Sequence, residues 1–277
     1  MNHSSIIQLG TGDFIDVFDP ETPWENFVEN ICICLGRLPR YVGNTRVPFT
    51  VAEHSLLCLM NWIALSTARG DDIEVLFKGT SVKVSFTEWK RTALDILTHD
   101  FAESLFNDIP SPIKKRYPDL ERDEVKVLGY IRDRICPRDT GECGLESAVE
   151  FIDQMTLALE YNFLTRSGRK ISTTPGHMMG NLAAQWLLPE IEVNPDSIKA
   201  RTPPDKGGTV YAKSLLDAFG VFNGNHGVVW DQRSHKTLYA IFQNVRDLTS
   251  VHDVLSCYPV SPTSCILGSL ADLYTPS

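Results

Sequence analysis

The strongest constraint on the fold is a helix start at residue 50 that leads into an apolar run. Thr50-Val51-Ala52-Glu53 has the pattern of a capping box, in which the Thr and Glu side chains bind each other's backbone N–H groups. Residues 56–65 are almost all apolar, with Asn61 as the interruption. The two features together predict a buried helix with His54 in its first turn.

Helical patterns recur along much of the chain. Thr22-Pro23 predicts a helix start, and the apolar spacing continues to Leu38 before Pro39 ends it. A second capping pattern at 85–88 opens a helix that is predicted to run to about residue 106. Further helices are predicted at 119–135, 145–164 and 175–187.

Two hairpins interrupt this pattern. Residues 5–18 alternate around a Gly-rich turn, and residues 72–86 alternate around Lys78-Gly79-Thr80. We therefore predict a mainly α fold with small β-hairpin insertions.

The composition changes near Pro195. Residues 202–209 contain two Pro and two Gly, as linkers often do. Beyond them the patterns predict a helix at 210–221, strands at 227–231 and 237–243, and short helices at 250–258 and 263–274. We predict one domain over residues 1–198 and a small α+β C-terminal extension over residues 199–277.

Charge and cysteine content limit the classes of partner and compartment. The formal net charge of −9 argues against binding to duplex DNA or to an anionic membrane. A small anionic substrate stays compatible with this charge, because local cations and a metal can reverse the electrostatic field inside a pocket.

The seven scattered Cys and residues 1–10, which lack a signal-peptide pattern, predict reduced thiols and a cytoplasmic location. No apolar run approaches the roughly 18–20 residues of a membrane span.

Four residues on predicted helices carry potential chemistry: His54, the adjacent pair His99-Asp100, and Asp153. Burying unpaired charges costs several kcal/mol, roughly, so such residues on apolar helices need partners. Two imidazoles and two carboxylates suit a divalent ion such as Mn, Fe, Co, Zn or Mg. A His-Asp dipeptide by itself is more typical of a helix surface or cap, and Asp133 and Asp139 are alternatives to Asp153.

The order of motifs resembles that of the HD-domain metal-dependent phosphohydrolases, in particular the 5′-deoxynucleotidase-like branch and its phage-encoded relatives. The shared landmarks are Val51-Ala52-Glu53-His54-Ser55, then His99-Asp100 with Glu103, then Asp108-Ile109-Pro110-Ser111-Pro112 with Lys114, and Asp153 followed by Glu160. The resemblance covers about residues 14–164. It implies a helical bundle and a metal held by His54, His99, Asp100 and Asp153.

The same resemblance implies roles for four further residues. Glu103 and Asp108 match the family's catalytic acidic positions, and Arg40 and Lys114 match positions that contact the substrate phosphate. Arg37 or Arg46 could take the role of Arg40. Each of these residues also has a possible role without function: Glu103 as a solvated helix residue, Asp108 as a turn cap, and Lys114 as part of an exposed run of charges over 114–116.

The implied activity is divalent-metal-dependent hydrolysis of deoxynucleoside monophosphates to nucleoside and phosphate. A deoxynucleoside triphosphate triphosphohydrolase and a catalytically silent nucleotide-binding protein are the alternatives. The resemblance also implies one divalent ion (Mn, Co, Mg, Fe or Zn), a small-molecule nucleotide as partner, a possible homodimer, and the host cytoplasm if the protein is phage-encoded. The 72–86 hairpin and the extension depart from the family pattern, which leaves the base, sugar and phosphate number open.

Overall fold

Helices dominate the part of the chain that the computed structural model describes, namely residues 6–8, 14–16, 27–45, 49–69, 72–135, 145–164, 174–187 and 234–250. The helices in this part are α1 (Phe27–Leu35), α2 (Val51–Ala64), α3 (Phe86–Thr98), α4 (Glu103–Phe106), α5 (Ser111–Lys114), α6 (Pro118–Ile135), α7 (Glu146–Leu164), α8 (Pro175–Leu187) and α9 (Ser234–Asp247). The mainly α prediction is confirmed. Among these helices, none has the length and apolar content to cross a membrane.

Both predicted capping boxes form. Thr50 Oγ accepts a hydrogen bond from the Glu53 backbone N–H, and the Glu53 carboxylate accepts one from the Thr50 N–H at 2.7 Å. Ser85 and Glu88 make the same exchange at the start of α3. Each box satisfies backbone N–H groups that a helix start leaves without partners.

Within the described part of the chain, two small antiparallel sheets accompany the helices. The first pairs β1 (Ile6–Gln8) with β2 (Phe14–Asp16), which confirms the predicted N-terminal hairpin. The second has the order β3 (Ser66–Arg69), β4 (Asp72–Phe77), β5 (Thr80–Val84). The 72–86 hairpin is thus correct, but β3 was not predicted, because Ser-Thr-Ala-Arg shows no apolar alternation.

The predicted helix over 85–106 is not continuous. Regular helix ends at Thr98, and the Phe101 and Glu103 N–H groups then donate to carbonyls three residues earlier, those of Thr98 and Asp100. Hydrogen bonds of this 3₁₀ type give a tighter turn of three residues, in which the side chains at positions i and i+3 lie above each other. Glu103 therefore follows Asp100 by one 3₁₀-type turn, after the regular helix has ended.

Residues 237–243, predicted as a strand, belong to helix α9. Its buried residues Leu238, Phe242 and Val245 are spaced by four and three, the helical period. The β-branched and aromatic residues of the segment favour a strand, but the segment forms a helix because its apolar face packs against other helices.

Helix α9 lies beyond the predicted boundary at residue 198 but packs into the same core as α1, α2 and α3. The Phe242 ring lies 6.1 Å from that of Phe101, and Lys90 Nζ donates to the Leu248 carbonyl at 2.8 Å. The other elements predicted for the extension lie outside the described residues.

Helices α7 and α8 approach each other closely through two glycines. A Cβ atom at Gly180 would lie 2.2 Å from the Met155 carbonyl oxygen, and one at Gly176 would lie 2.6 Å from that of Phe151. Because real atoms cannot approach so closely, glycine permits this distance between the helices. The contact sets the position of α7, which carries Asp153 and Glu160.

Candidate metal centre

His54 is completely buried at the start of α2, and its ring orientation is set by a carboxylate. Nδ1 lies 2.6 Å from Glu160 Oε1 on α7. A carboxylate oxygen only accepts, so Nδ1 carries the proton and the lone pair of the neutral ring lies on Nε2. The capping box at the helix start and the Glu160 bond together direct this Nε2 atom toward α3 and α7.

His99, at the C-terminal end of α3, also has its ring orientation set by a hydrogen bond from Nδ1. Its Nδ1 lies 2.7 Å from the Ile96 carbonyl oxygen, which also can only accept. Its Nε2 lies 3.2 Å from His54 Nε2. Two lone pairs at this distance repel each other unless a proton or a metal ion lies beside them, so the pair favours a bound cation.

The two predicted aspartates complete the group. Asp153 Oδ1 on α7 lies 3.1 Å from His54 Nε2 and 3.7 Å from His99 Nε2. Asp100 places Oδ2 3.5 Å from His54 Nε2 and Oδ1 3.3 Å from His99 Nε2. Asp133 is exposed on α6, and Asp139 lies outside the described residues, so the geometry favours Asp153 among the alternatives.

These distances suit a metal ion. With metal–ligand bonds of about 2.1 Å, neighbouring ligand atoms lie roughly 3.0–3.5 Å apart in octahedral or tetrahedral geometry. The side chain of Asp153 is 39% exposed whereas His54 is 0% exposed, so the open side of the site is at Asp153.

The structure adds Cys58 to this group. One ligand atom from each of His54, Cys58, His99 and Asp153 lies within 4.8 Å of every other, a spacing that could hold a metal ion. The seven cysteines are scattered along the sequence, and none of the predicted motifs includes Cys58. Its position four residues after His54, on the same helix face, is the signal that could have found it.

The charges of the group are interdependent. Burial opposes ionisation of Asp153, but hydrogen bonds with His54 and His99 lower its pKa well below the ordinary value. Burial likewise opposes ionisation of Asp100, but His99, His54 and Arg40 lower its pKa. Burial and Arg40 lower the pKa of His54, but Cys58, Glu160 and Asp153 raise it overall. Without a metal, a proton on His54 therefore supplies the positive charge, and metal binding would release it.

Arg40 is buried beside the group. Its Nη1 lies 3.2 Å from Asp100 Oδ2 and its Nε lies 3.5 Å from Glu160 Oε2. Burial lowers the pKa of Arg40, but Glu160 and Asp100 outweigh this and raise it. Arg37 is exposed, and Arg46 lies outside the described residues, so Arg40 is the arginine that the structure brings to the site.

The loop after Arg40 has an unusual backbone. Tyr41 and Val42 both have positive φ, at 56° and 54°, a conformation that is rare for non-glycine residues and especially for β-branched ones. Asp108 Oδ2 accepts from the Tyr41 N–H at 3.2 Å, and the Tyr41 hydroxyl donates to Glu160 at 2.7 Å. Asp108 thus holds the loop that carries Arg40, a contact that sequence analysis did not anticipate.

Glu103 lies one turn after Asp100 in the chain, where its carboxyl group contacts Lys114. It is buried, and Lys114 Nζ lies 3.3 Å from its Oε1 and 2.7 Å from Glu124 Oε1. Burial, together with Asp100 and Asp108, raises the pKa of Glu103 to about 9. Glu103 therefore holds a proton at neutral pH. Lys115 and Arg116, which follow Lys114 in the chain, are exposed, whereas Lys114 is half-buried.

Comparison with known proteins adds one relative. No protein-family model matches the sequence. The chain is 26% identical over 107 residues to the uncharacterized protein YfdR of Escherichia coli (strain K12), a match that covers 39% of this chain and 46% of YfdR. The aligned region thus spans less than half of either protein, and the name of the relative assigns no activity.

Proposed function

We propose that the protein is an HD-domain-type phosphohydrolase that uses a divalent metal to cleave the 5′-phosphate ester of deoxynucleoside monophosphates. The observation that carries the proposal is the convergence of His54, His99, Asp100 and Asp153. These residues come from α2, the end of α3 and α7, and they are the residues that the motif order predicts as metal ligands. Arg40 and Glu103, also selected by the motifs, flank the group.

The donor set suits a divalent ion, and such an ion when bound lowers the pKa of a water ligand and polarises a phosphoryl oxygen. Arg40 contributes the fixed positive charge. Its ion pair with Asp100 keeps the guanidinium at the edge of the cluster, where it offsets charge on the phosphoryl group.

Glu103 supplies the proton. Hydrolysis forms a bond from water oxygen to phosphorus and breaks the bond from phosphorus to O5′, which must gain a proton to leave as a hydroxyl. A carboxyl group that stays protonated at neutral pH suits this task, and Glu103 meets the condition. Lys114 holds Glu103 Oε1, and Asp108 holds the loop of Arg40.

The test is a screen of metals against substrates. Protein stripped of metal is incubated with Mn, Co, Mg, Fe(II) or Zn and with each deoxynucleoside monophosphate, ribonucleoside monophosphate and deoxynucleoside triphosphate. Products are separated by chromatography. We expect nucleoside and orthophosphate from deoxynucleoside monophosphates, and loss of both products in His99→Ala and Asp100→Ala. Asp123→Asn, on the exposed face of α6, is the matched control and keeps activity.

Other results would replace the proposal. Release of triphosphate from a deoxynucleoside triphosphate would identify a triphosphohydrolase instead. Binding of metal and nucleotide without any product would identify a silent nucleotide-binding protein. Absence of both binding and product would contradict the proposed function altogether.

A further inference from the structure

Cys58 lies where a metal bound by the histidines would meet a sulfur ligand. Its side chain is 0% exposed, and Sγ lies 3.4 Å from His54 Nε2. Around a tetrahedral ion with a bond of about 2.3 Å to sulfur and about 2.1 Å to nitrogen, the sulfur and nitrogen lie roughly 3.6 Å apart. The observed separation is close to this value before any ion is present.

The surroundings of Cys58 are polar on the side that faces α7. Three residues further along α2, the buried Asn61 donates to Thr156 Oγ at 2.9 Å. A free cysteine often acts as a small apolar core residue. Here, however, His54 and Asn61, four residues before and three residues after Cys58, both bond to side chains of α7, and the sulfur contacts His54 Nε2.

Asp100 has a competing partner that Cys58 lacks. Asp100 Oδ2 is 3.2 Å from Arg40 Nη1 and 3.5 Å from His54 Nε2. The cation of Arg40 therefore offsets part of the negative charge that Asp100 brings to the site. The Cys58 sulfur instead belongs to the set of mutually close ligand atoms formed with His54, His99 and Asp153.

We propose that Cys58 also coordinates the metal, as a thiolate beside His54, His99, Asp100 and Asp153, so that the site prefers zinc, cobalt or ferrous iron to magnesium or manganese. The inference rests on the metal site of the proposed function and adds a ligand to it. Thiolates favour softer ions, whereas carboxylates and water suit magnesium and manganese. The sulfur ligand thus determines which metal the protein selects.

The test uses cobalt(II) as a spectroscopic probe in the 277-residue protein after removal of metal with a chelator. A cobalt–thiolate bond adds a sulfur-to-metal charge-transfer band in the near ultraviolet, apart from the visible bands that any bound cobalt shows. We expect this band in the wild type and its loss in Cys58→Ser and Cys58→Ala. Cys32→Ala removes another fully buried thiol, on α1, and keeps the band.

Metal preference gives a second measurement. Competition with a chromogenic chelator yields the affinities for zinc and manganese. Replacing even an indirect partner of a metal ligand lowers affinity about 10–100-fold. We therefore expect Cys58→Ser to lower zinc affinity at least about tenfold and manganese affinity less.

The outcomes separate the two proposals. Visible cobalt bands without the charge-transfer band in the wild type would overturn the role of Cys58 and leave the metal site intact. A charge-transfer band that survives in Cys58→Ala would also overturn it. Failure of the wild type to retain cobalt or zinc at all would overturn the metal site itself. The wild-type spectrum decides the first case even if the variants fold poorly.

Discussion

At the residue scale, Glu160 connects the candidate metal ligand His54 to Arg40 and the loop that carries it. Its carboxylate accepts from His54 Nδ1 and from the Tyr41 hydroxyl, and it lies 3.5 Å from Arg40 Nε. Burial opposes its ionisation, but His54 and Arg40 lower its pKa, so it carries a negative charge. A histidine that donates to a carboxylate is a better metal ligand, because its other nitrogen is oriented and more basic.

Glu160→Gln is expected to lower metal affinity about 10–100-fold. The amide keeps the size of the side chain, and its oxygen can still accept from His54 Nδ1, but it removes the negative charge that makes Nε2 more basic. Isothermal titration of zinc or manganese into the metal-free variant measures the change. Glu150→Gln changes an exposed carboxylate on the same helix and is expected to bind as the wild type does. Equal affinities in the two variants would contradict the role of Glu160.

Glu103 gives a pH prediction for the metal-free protein. Its pKa rises from the ordinary 4.5 to about 9, with burial as the largest cause. Between these values the unfolded chain has released the proton and the folded protein retains it, so the free energy of unfolding falls as pH rises. The contribution of this one group is at most about 1.4 kcal/mol per pH unit.

Urea unfolding with chelator present, from pH 5 to about 9, measures this effect as the difference between the wild type and Glu103→Gln. We expect the advantage of the wild type to shrink as pH rises. Glu88→Gln is the control, because hydrogen bonds from Ser85 lower the pKa of Glu88, and its contribution is constant across this range. A pH-independent difference for Glu103→Gln would show that Glu103 is ionised in the folded protein.

The sequence predicted the residues that meet better than it predicted their contacts. His54, His99, Asp100, Asp153, Arg40 and Glu103 lie together as the motifs indicate. The spacing of Cys58 and His54 along α2 is a local signal, but the approach of His99 and Asp153 to Cys58 and the bond from the Tyr41 N–H to Asp108 depend on how α2, α3, α7 and the 40–43 loop pack. Such contacts arise between distant segments, and local patterns carry no information about them.

At the scale of elements, local signals explain where helices start but not where they bend. The capping boxes at Thr50 and Ser85 form because the residues involved are three positions apart in the chain. The tight turn after Thr98 has no comparable signal. Phe101 and Ala102 within it are buried, so core packing accompanies the departure from a regular helix.

The close contact of α7 and α8 yields a prediction about glycine. In Gly180→Ala the new methyl group meets the Met155 carbonyl oxygen and the Ala158 side chain, so α8 must move away. We expect a loss of about 1–3 kcal/mol in the free energy of unfolding, as in other overpacked cores. Chemical denaturation measures it.

Gly129→Ala is the matched control for this substitution. It lies inside α6, and a Cβ atom there meets nothing within 4 Å. Alanine restricts the unfolded chain more than glycine does, so this variant is expected to gain roughly 0.5–1 kcal/mol. Opposite signs for the two variants support the close packing of α8 on α7, and a neutral Gly180→Ala would contradict it.

At the scale of the whole molecule, a helix from late in the chain supports the turn that carries the candidate site. Helix α9 packs on α1, α2 and α3, and Phe242 contacts Phe101, the residue after Asp100. Leu238, Phe242 and Val245 belong to the same apolar core as Trp62 and Trp89. The predicted division at residue 198 therefore separates α9 in sequence from the core that it completes.

Phe242→Ala is expected to lower the free energy of unfolding by about 3–5 kcal/mol, because it removes a 2% exposed ring and leaves a cavity beside Phe101. Asn244→Ala, on the exposed face of the same helix, is expected to change the free energy of unfolding by less than about 0.5 kcal/mol.

A chain that ends at residue 198 should expose the surface that α9 covers and unfold at a lower temperature than the 277-residue chain. Thermal and urea unfolding of the three proteins measure these differences. If the shortened chain and Phe242→Ala both match the wild type, residues 1–198 fold independently of α9, and the support it provides to His99 and Asp100 is not required.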